Sequence, residues 1–302
     1  MNTRARGIAL AFVTAVVSGV SIYVNGHAVR HFGDATVYTT AKNAVAGLLL
    51  LLAAVTAPVV RPASVAGPRP RGGRAAALLA VAVVGGSVPF VLFFEGLARA
   101  EATQASFIQK TLVVWVALLA VPILRERVRA PHVLAVVLLV AGQAWLAGRV
   151  GTIAFGTGEA MILAATLLWS VEVVYVKRLL VSIAPRTLAA ARMGLGTVLL
   201  VAWLGITGKV GDLAGFGVDQ WRWILLTGLL LTAYVATWYA ALARAQAVDV
   251  TATLVFGAVV TALLSGAADG APVSVLGAAL VVAGSALIAW TALRRPPAEA
   301  PA

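Results

Sequence analysis

Ten apolar segments of about 18 to 25 residues follow one another along this chain, the length a helix needs to cross hydrocarbon. They run approximately Gly7 to Ala28, Ala35 to Ala57, Ala75 to Ala98, Thr103 to Leu124, Pro131 to Ala147, Phe155 to Val176, Thr187 to Thr207, Trp221 to Ala243, Val248 to Ala268 and Pro272 to Leu293. Inside a bilayer each backbone N–H and C=O must be paired within its own segment, so serial spans of this kind predict an all-α integral membrane fold of ten transmembrane helices. A soluble alternative fails on composition. With 61% hydrophobic and 11% charged residues and a mean hydropathy of +0.98, a water-soluble fold of 302 residues would carry more apolar surface than it could bury. The connections are short; the longest, Val59 to Arg74, is too polar and proline-rich to be a span. The first apolar run is long for a signal peptide and lacks a cleavage site, so it reads as a retained first helix.

The net charge of +12 would suit nucleic acid, but the basic residues fall in short runs between apolar segments rather than along one face. They set membrane orientation instead. Fifteen of the 23 Lys and Arg lie at the two termini and in the even-numbered loops, and five lie in the odd-numbered loops (Arg30, Arg99, Arg149, Lys209 and Arg222). This bias predicts a multi-pass protein with both termini cytoplasmic, and the Ala-, Arg- and Val-rich usage with four lysines points to a bacterial inner membrane. Cysteine is absent, which excludes disulfides, thiol catalysis and Cys-based metal sites. The three histidines, His27, His31 and His132, sit at span boundaries without metal-like spacing, so neither metal nor cofactor is expected.

Two stretches nearly repeat each other. VLAVVLLVAGQAWLA, Val133 to Ala147, shares eight positions with VLGAALVVAGSALIA, Val275 to Ala289, and upstream Leu97-Ala-Arg-Ala-Glu-Ala matches Leu242-Ala-Arg-Ala-Gln-Ala. Similarity in the same order in both halves implies duplication: residues 1–150 as one five-helix repeat, 151–295 as the second, and 296–302 as a tail, with a hinge near Gly148 to Gly156. Five spans per repeat is odd, so the second copy is inverted in the membrane, the plan by which transporters open one midplane site to either side. A bundle duplicated within one chain closes its own cavity, and a monomer in a lipid bilayer is expected.

Lys42, Lys110 and Arg192 lie inside spans, where a cation facing lipid costs several kcal/mol and normally turns to the bundle interior. Ala-Arg-Met at 191–193 occupies the place in the second repeat that Ala-Lys-Asn at 41–43 occupies in the first. Arg192 is near enough to the cytoplasmic boundary to snorkel. Glu172 is a candidate counter-charge, although Lys177 five residues on offers it an interfacial ion pair; Glu95 sits near the outer boundary. Polar and aromatic stripes at helical spacing (Ser18, Ser21 and Asn25; Tyr38 and Lys42; Ser106, Gln109 and Lys110; Trp169 and Glu172; Tyr234 and Trp238) would line a cavity for a small amphipathic molecule. Gly85, Gly86, Ser87 and Pro89 cluster in the third span, where proline predicts a kink and a candidate hinge for a gate.

Gly96 to Gly142, with its Leu-x-Glu-Arg turn at Leu124 to Arg127, resembles the hallmark of EamA-type members of the drug/metabolite transporter superfamily, as do LLWSVEVVYVK in the sixth span and the Lys42 and Arg192 positions. The second repeat departs from the pattern: its turn reads GAADGAP, with Ala268 at the place of Glu126 and Asp269 beside it. The resemblance implies a ten-helix, two-repeat fold that exports metabolites by alternating access. Within the superfamily the aromatic amino-acid exporters look nearest, where Lys110 and Trp169 fall on cavity faces. The alternatives are an integral-membrane enzyme acting on lipid-like substrates, for which clustered acid, base and nucleophile residues are lacking, and a channel.

Overall fold

A computed structural model describes residues 2–56, 73–148 and 155–294. Ten helical passes succeed one another: α1 (Thr3–Ala28), α2 (Ala35–Thr56), α3 (Gly73–Leu97), α4 (Ala102–Lys110 and Leu112–Leu124), α5 (Ala130–Leu146), α6 (Thr157–Leu179), α7 (Pro185–Ile206), α8 (Val218–Leu242), α9 (Ala247–Leu254 and Gly257–Asp269) and α10 (Val275–Arg294). No strand occurs among the described residues. Among the described residues nine passes are long and apolar enough to cross a membrane, and α5 is an apolar helix of 17 residues. Most of the Gly148 to Gly156 hinge, most of the Val59 to Arg74 connection and the 296–302 tail lie outside the described residues.

Local chemistry sets the helix ends. The Asn2 side chain accepts from the Ala5 N–H, Asp34 accepts from Thr36 and Val37, and Ser274 accepts from Gly277, each satisfying first-turn donors that have no partner within the helix. Bulky apolar side chains such as Leu48, Leu52 and Val55 of α2 and Val133, Leu134 and Val137 of α5 face outward, as a lipid-exposed surface requires. Small residues mark the contacts between helices.

The packing repeats itself. α1 lies against α8 as α6 lies against α3, while α2 pairs with its counterpart α7 and α5 with its counterpart α10. A Cβ on Gly142 would lie 2.8 Å from the Gly277 carbonyl oxygen and from Val281; on Gly284 it would lie 3.0 Å from the Ala135 oxygen and 2.8 Å from Leu139. These are equivalent contacts in the matched blocks, and their reversed order makes α5 and α10 antiparallel. At opposite ends of the bundle, Gly7 abuts Arg244 and Gly158 abuts Arg99, the arginines of the two Leu-Ala-Arg-Ala blocks. Both α4 and α9 break near mid-length, at Thr111 and at Val255–Phe256.

The turns after α4 and α9 correct one alignment. Each ends on a left-handed residue, Arg125 at φ 54° and Gly270 at φ 67°, and the next N–H reaches back six residues, Glu126 to Ala120 and Ala271 to Ser265. Ala271, not Ala268, therefore occupies the place of Glu126; both helices begin five residues after the left-handed residue, but the matched block starts at Val275 in α10, three residues nearer its turn than Val133 in α5, and only the backbone reveals that shift.

Candidate functional site

A polar cavity lies where the two repeats face each other, and much of its wall consists of residues at matching positions. Ser18, Ser21 and Ile22 on α1 are mirrored by Trp169, Glu172 and Val173 on α6, Lys42 on α2 by Arg192 on α7, and Phe93 on α3 by Trp238 on α8. Its free space of about 60 Å³ holds a few waters, so an organic molecule can enter only if the walls move apart.

The second-repeat cation is tightly held. Arg192 Nη2 stands 3.5 Å from Glu172 Oε2, Tyr239 donates its hydroxyl to Glu172 Oε1 at 2.5 Å, and Arg192 Nε donates to the Gly85 carbonyl at 3.1 Å. Trp169 Nε1 donates to the same carbonyl at 3.1 Å. That oxygen is available because Pro89, four residues on, has no N–H to return to it, and α3 runs as a π-helix over Ala82–Ser87. Gly85 and Gly86 let α3 come this close: a Cβ on Gly85 would stand 2.9 Å from Glu172 Oε1, and one on Gly86 would run into the Arg192 carbonyl oxygen. The glycine–proline cluster thus does more than kink its helix; it provides an acceptor.

The first-repeat cation is held otherwise. Lys42 is 2% exposed and has no hydrogen bond or ion pair among the described residues. Its Nζ lies 3.6 Å from the Phe94 ring centroid, 5.5 Å from that of Phe90 and 5.7 Å from that of Tyr38, a cation–π enclosure. Phe94 occupies the place of Tyr239 and Ser21 that of Glu172, so the first repeat has neither the phenol nor the carboxylate.

Of the residues singled out from sequence, Lys42, Gln109, Trp169, Glu172, Tyr234 and Trp238 line the cavity. Tyr38 and Lys110 do not, but each holds a residue that does: Tyr38 donates to Asn25 Oδ1 at 2.7 Å, and Lys110 Nζ donates to Ser18 Oγ at 2.7 Å and Gln109 Oε1 at 3.0 Å. Tyr234 and Trp238 stack with centroids 6.0 Å apart. Two sequence expectations are corrected. Arg192 does not snorkel, being 3% exposed, and Glu172 pairs with it rather than with Lys177. Lys177 falls within α6, which runs to Leu179, and donates to the Leu242 and Ala245 carbonyls. Sequence reading missed Phe90, Phe93 and Phe94; their i, i+3, i+4 spacing was visible but could not be told from lipid-facing aromatics.

At the end of the bundle where α1 begins and α10 ends, Glu126 accepts from Ala247 N at 2.7 Å and Val248 N at 3.0 Å, capping α9 across the repeats. At the other end Lys209 Nζ meets Asp34 Oδ2 at 2.5 Å, Thr36 donates to Glu95 Oε1 at 2.8 Å, and Tyr23 donates to Asp269 at 3.1 Å. Among the described residues no group of three His, Asp or Glu could hold a metal.

The model of the EamA-like transporter family matches residues 5–148 and again 156–290. Twenty-nine chains of solved structures match; one, described only as a crystal structure of a protein, does so with a TM-score of 0.71 at 19% identity over 95% of this chain and 98% of its own, a likeness of fold alone. No curated protein matches. Two matches of one family model, covering nearly all of a bundle built from two like halves, place this chain in the EamA-like transporter family, whose members are membrane transporters of small molecules.

Proposed function

We propose that this protein is a secondary transporter that exports small organic metabolites, foremost amino acids with aromatic or other neutral side chains, by alternating access. The observation that carries the reading is the cavity at the junction of the repeats, walled by position-matched residues and combining aromatic rings with a few fixed polar groups. Rocking of one repeat against the other would open that cavity to each side in turn, with Gly85, Gly86 and Pro89 as the bending region of α3. The charge bias supports both termini in the cytoplasm of a bacterial inner membrane, and internal duplication supports a working monomer. No nucleotide-binding motif suggests direct use of ATP.

Proteoliposomes containing the purified protein test the proposal. Saturable uptake of an amino acid, accelerated by unlabelled substrate on the far side, is expected. Flux no greater than in empty vesicles across an amino-acid and nucleobase panel would overturn it.

A further inference from the structure

The cavity has more basic side chains than acidic ones, and two of the basic ones keep donors without acceptors. Lys42 Nζ and Arg192 Cζ both stand over the Phe90 ring, 5.5 and 5.6 Å from its centroid, and both residues line the cavity. Glu172 neutralises one of them. Arg192 Nη1 is buried without a hydrogen-bond partner, and Lys42 has only aromatic faces around it. Lys110 adds a third cation against the cavity wall, held by the neutral oxygens of Ser18 and Gln109. Buried donors left unsatisfied are costly, and an ammonium among rings recovers only part of its lost hydration.

We infer that the site takes small organic carboxylates: the carboxylate seats between Lys42 Nζ and Arg192 Nη1, and an aromatic or apolar body lies against the α3 phenylalanines and Trp169. This rests on the transport reading and narrows its substrate class. A carboxylate supplies what these donors lack, two acceptor oxygens with a full charge. The body finds Phe90 and Phe93 edge-on to or tilted against Trp169, with centroids 5.5 and 5.4 Å away. A substrate ammonium has no comparable seat, because Glu172 is already occupied by Arg192 and Tyr239. The preference therefore runs acid, then zwitterion, then amine. The asymmetry of the repeats gives the reason: at the places of Tyr239 and Glu172 the first repeat has Phe94 and Ser21, which leaves Lys42 for the ligand.

The test compares ligands of one body and different charge on the intact protein in nanodiscs, read by fluorescence of the cavity tryptophans Trp169 and Trp238. 3-Phenylpropionate should bind about tenfold or more tightly than its amide, with phenylalanine between them and 2-phenylethylamine weakest. In Lys42→Met the acid and amide should bind alike, whereas Lys42→Arg should retain the preference; removing an unmatched buried cation should leave the melting temperature of Lys42→Met no lower than that of the parent. Equal binding of acid and amide to the parent protein, tighter binding of the amine, no saturable binding of the acid, or an undiminished acid preference in Lys42→Met would each overturn the inference. If amines or amides are carried saturably into proteoliposomes, transport stands and only the anion preference falls.

Discussion

At the scale of single residues, the two intramembrane cations contrast in how they are neutralised. Arg192 and Glu172 are both nearly fully buried, and removing one partner from such a pair leaves an uncompensated charge, costing about 3–5 kcal/mol. Glu172→Gln should therefore lower stability by that order in reversible unfolding from mixed micelles, and Glu172→Gln combined with Arg192→Met should recover most of the loss; equal losses in the single and double variants would reject the pairing argument. That Lys42 and Lys110 turn inward was legible in the sequence, because lipid forbids the alternative at their depth; for Arg192, near enough to the boundary to snorkel, it was not. Which carboxylate answers which cation was not. Glu172 is five residues from Lys177 in sequence, but five residues on a helix is 500° of rotation at 100° each, which points the two side chains well apart. The tertiary approach of α7 settled the choice, and that approach depends on Gly85, Gly86 and the carbonyl that Pro89 leaves free.

At the scale of elements, the ten passes were readable from apolar length alone, and apart from the breaks inside α4 and α9 the errors lay at ends: α6 continues to Leu179 because Lys177 can satisfy itself on the α8–α9 turn. The matched glycines carry a stronger message. Gly142 and Gly284 face backbone on the partner helix, so a side chain at either position must push α5 and α10 apart. Gly142→Val and Gly284→Val should each destabilise by roughly 1–3 kcal/mol, the range for overpacking, and by similar amounts because their surroundings are equivalent. A large loss at one and none at the other would contradict the two-fold packing. Glu126 has no such twin, since Ala271 occupies its place. Glu126→Ala leaves the first N–H groups of α9 without acceptors and should cost about 1–2 kcal/mol, while Ala271→Ser should have little effect. This asymmetry was unreadable in advance because the repeats align with different offsets on either side of the turn, and only the left-handed residues Arg125 and Gly270 fix the register.

At the scale of the whole molecule, the proposed alternating access makes the contacts at the ends of the bundle the ones that must break for the cavity to open. The Lys209–Asp34 clasp ties the α1–α2 turn to the α7–α8 connection. Burial pushes the Asp34 carboxyl up, but the Lys209 ammonium and the Val37 and Thr36 N–H groups outweigh it and hold it below the ordinary 3.8. The hydrogen bond and charge of Asp34, with Glu95 and Asp212 adding to it, hold Lys209 above the ordinary 10.5. A lowered acid loses its contribution only as pH falls through its depressed value, and a raised base only as pH rises beyond 10.5, so the clasp should be insensitive to pH between about 5 and 9. Hydrogen-exchange protection at residues 32–37, corrected for intrinsic rates, should stay flat across that window and fall in Lys209→Met; a step within it would refute the assignment. On the proposed alternating-access reading the clasp then supplies no pH trigger of its own in that window, and the equivalence of Ile22 and Val173 makes opening measurable. Both line the cavity, on α1 and α6 of opposite repeats. The chain has no cysteine of its own, so Ile22→Cys and Val173→Cys each introduce a single reactive thiol. In sealed vesicles an impermeant thiol reagent should reach the two from opposite sides, and a saturating substrate should change the two labelling rates in opposite directions, because widening one mouth of a shared cavity narrows the other. Labelling of both thiols from the same side at unchanged rates would describe a continuous pore, and alternating access would have to be abandoned.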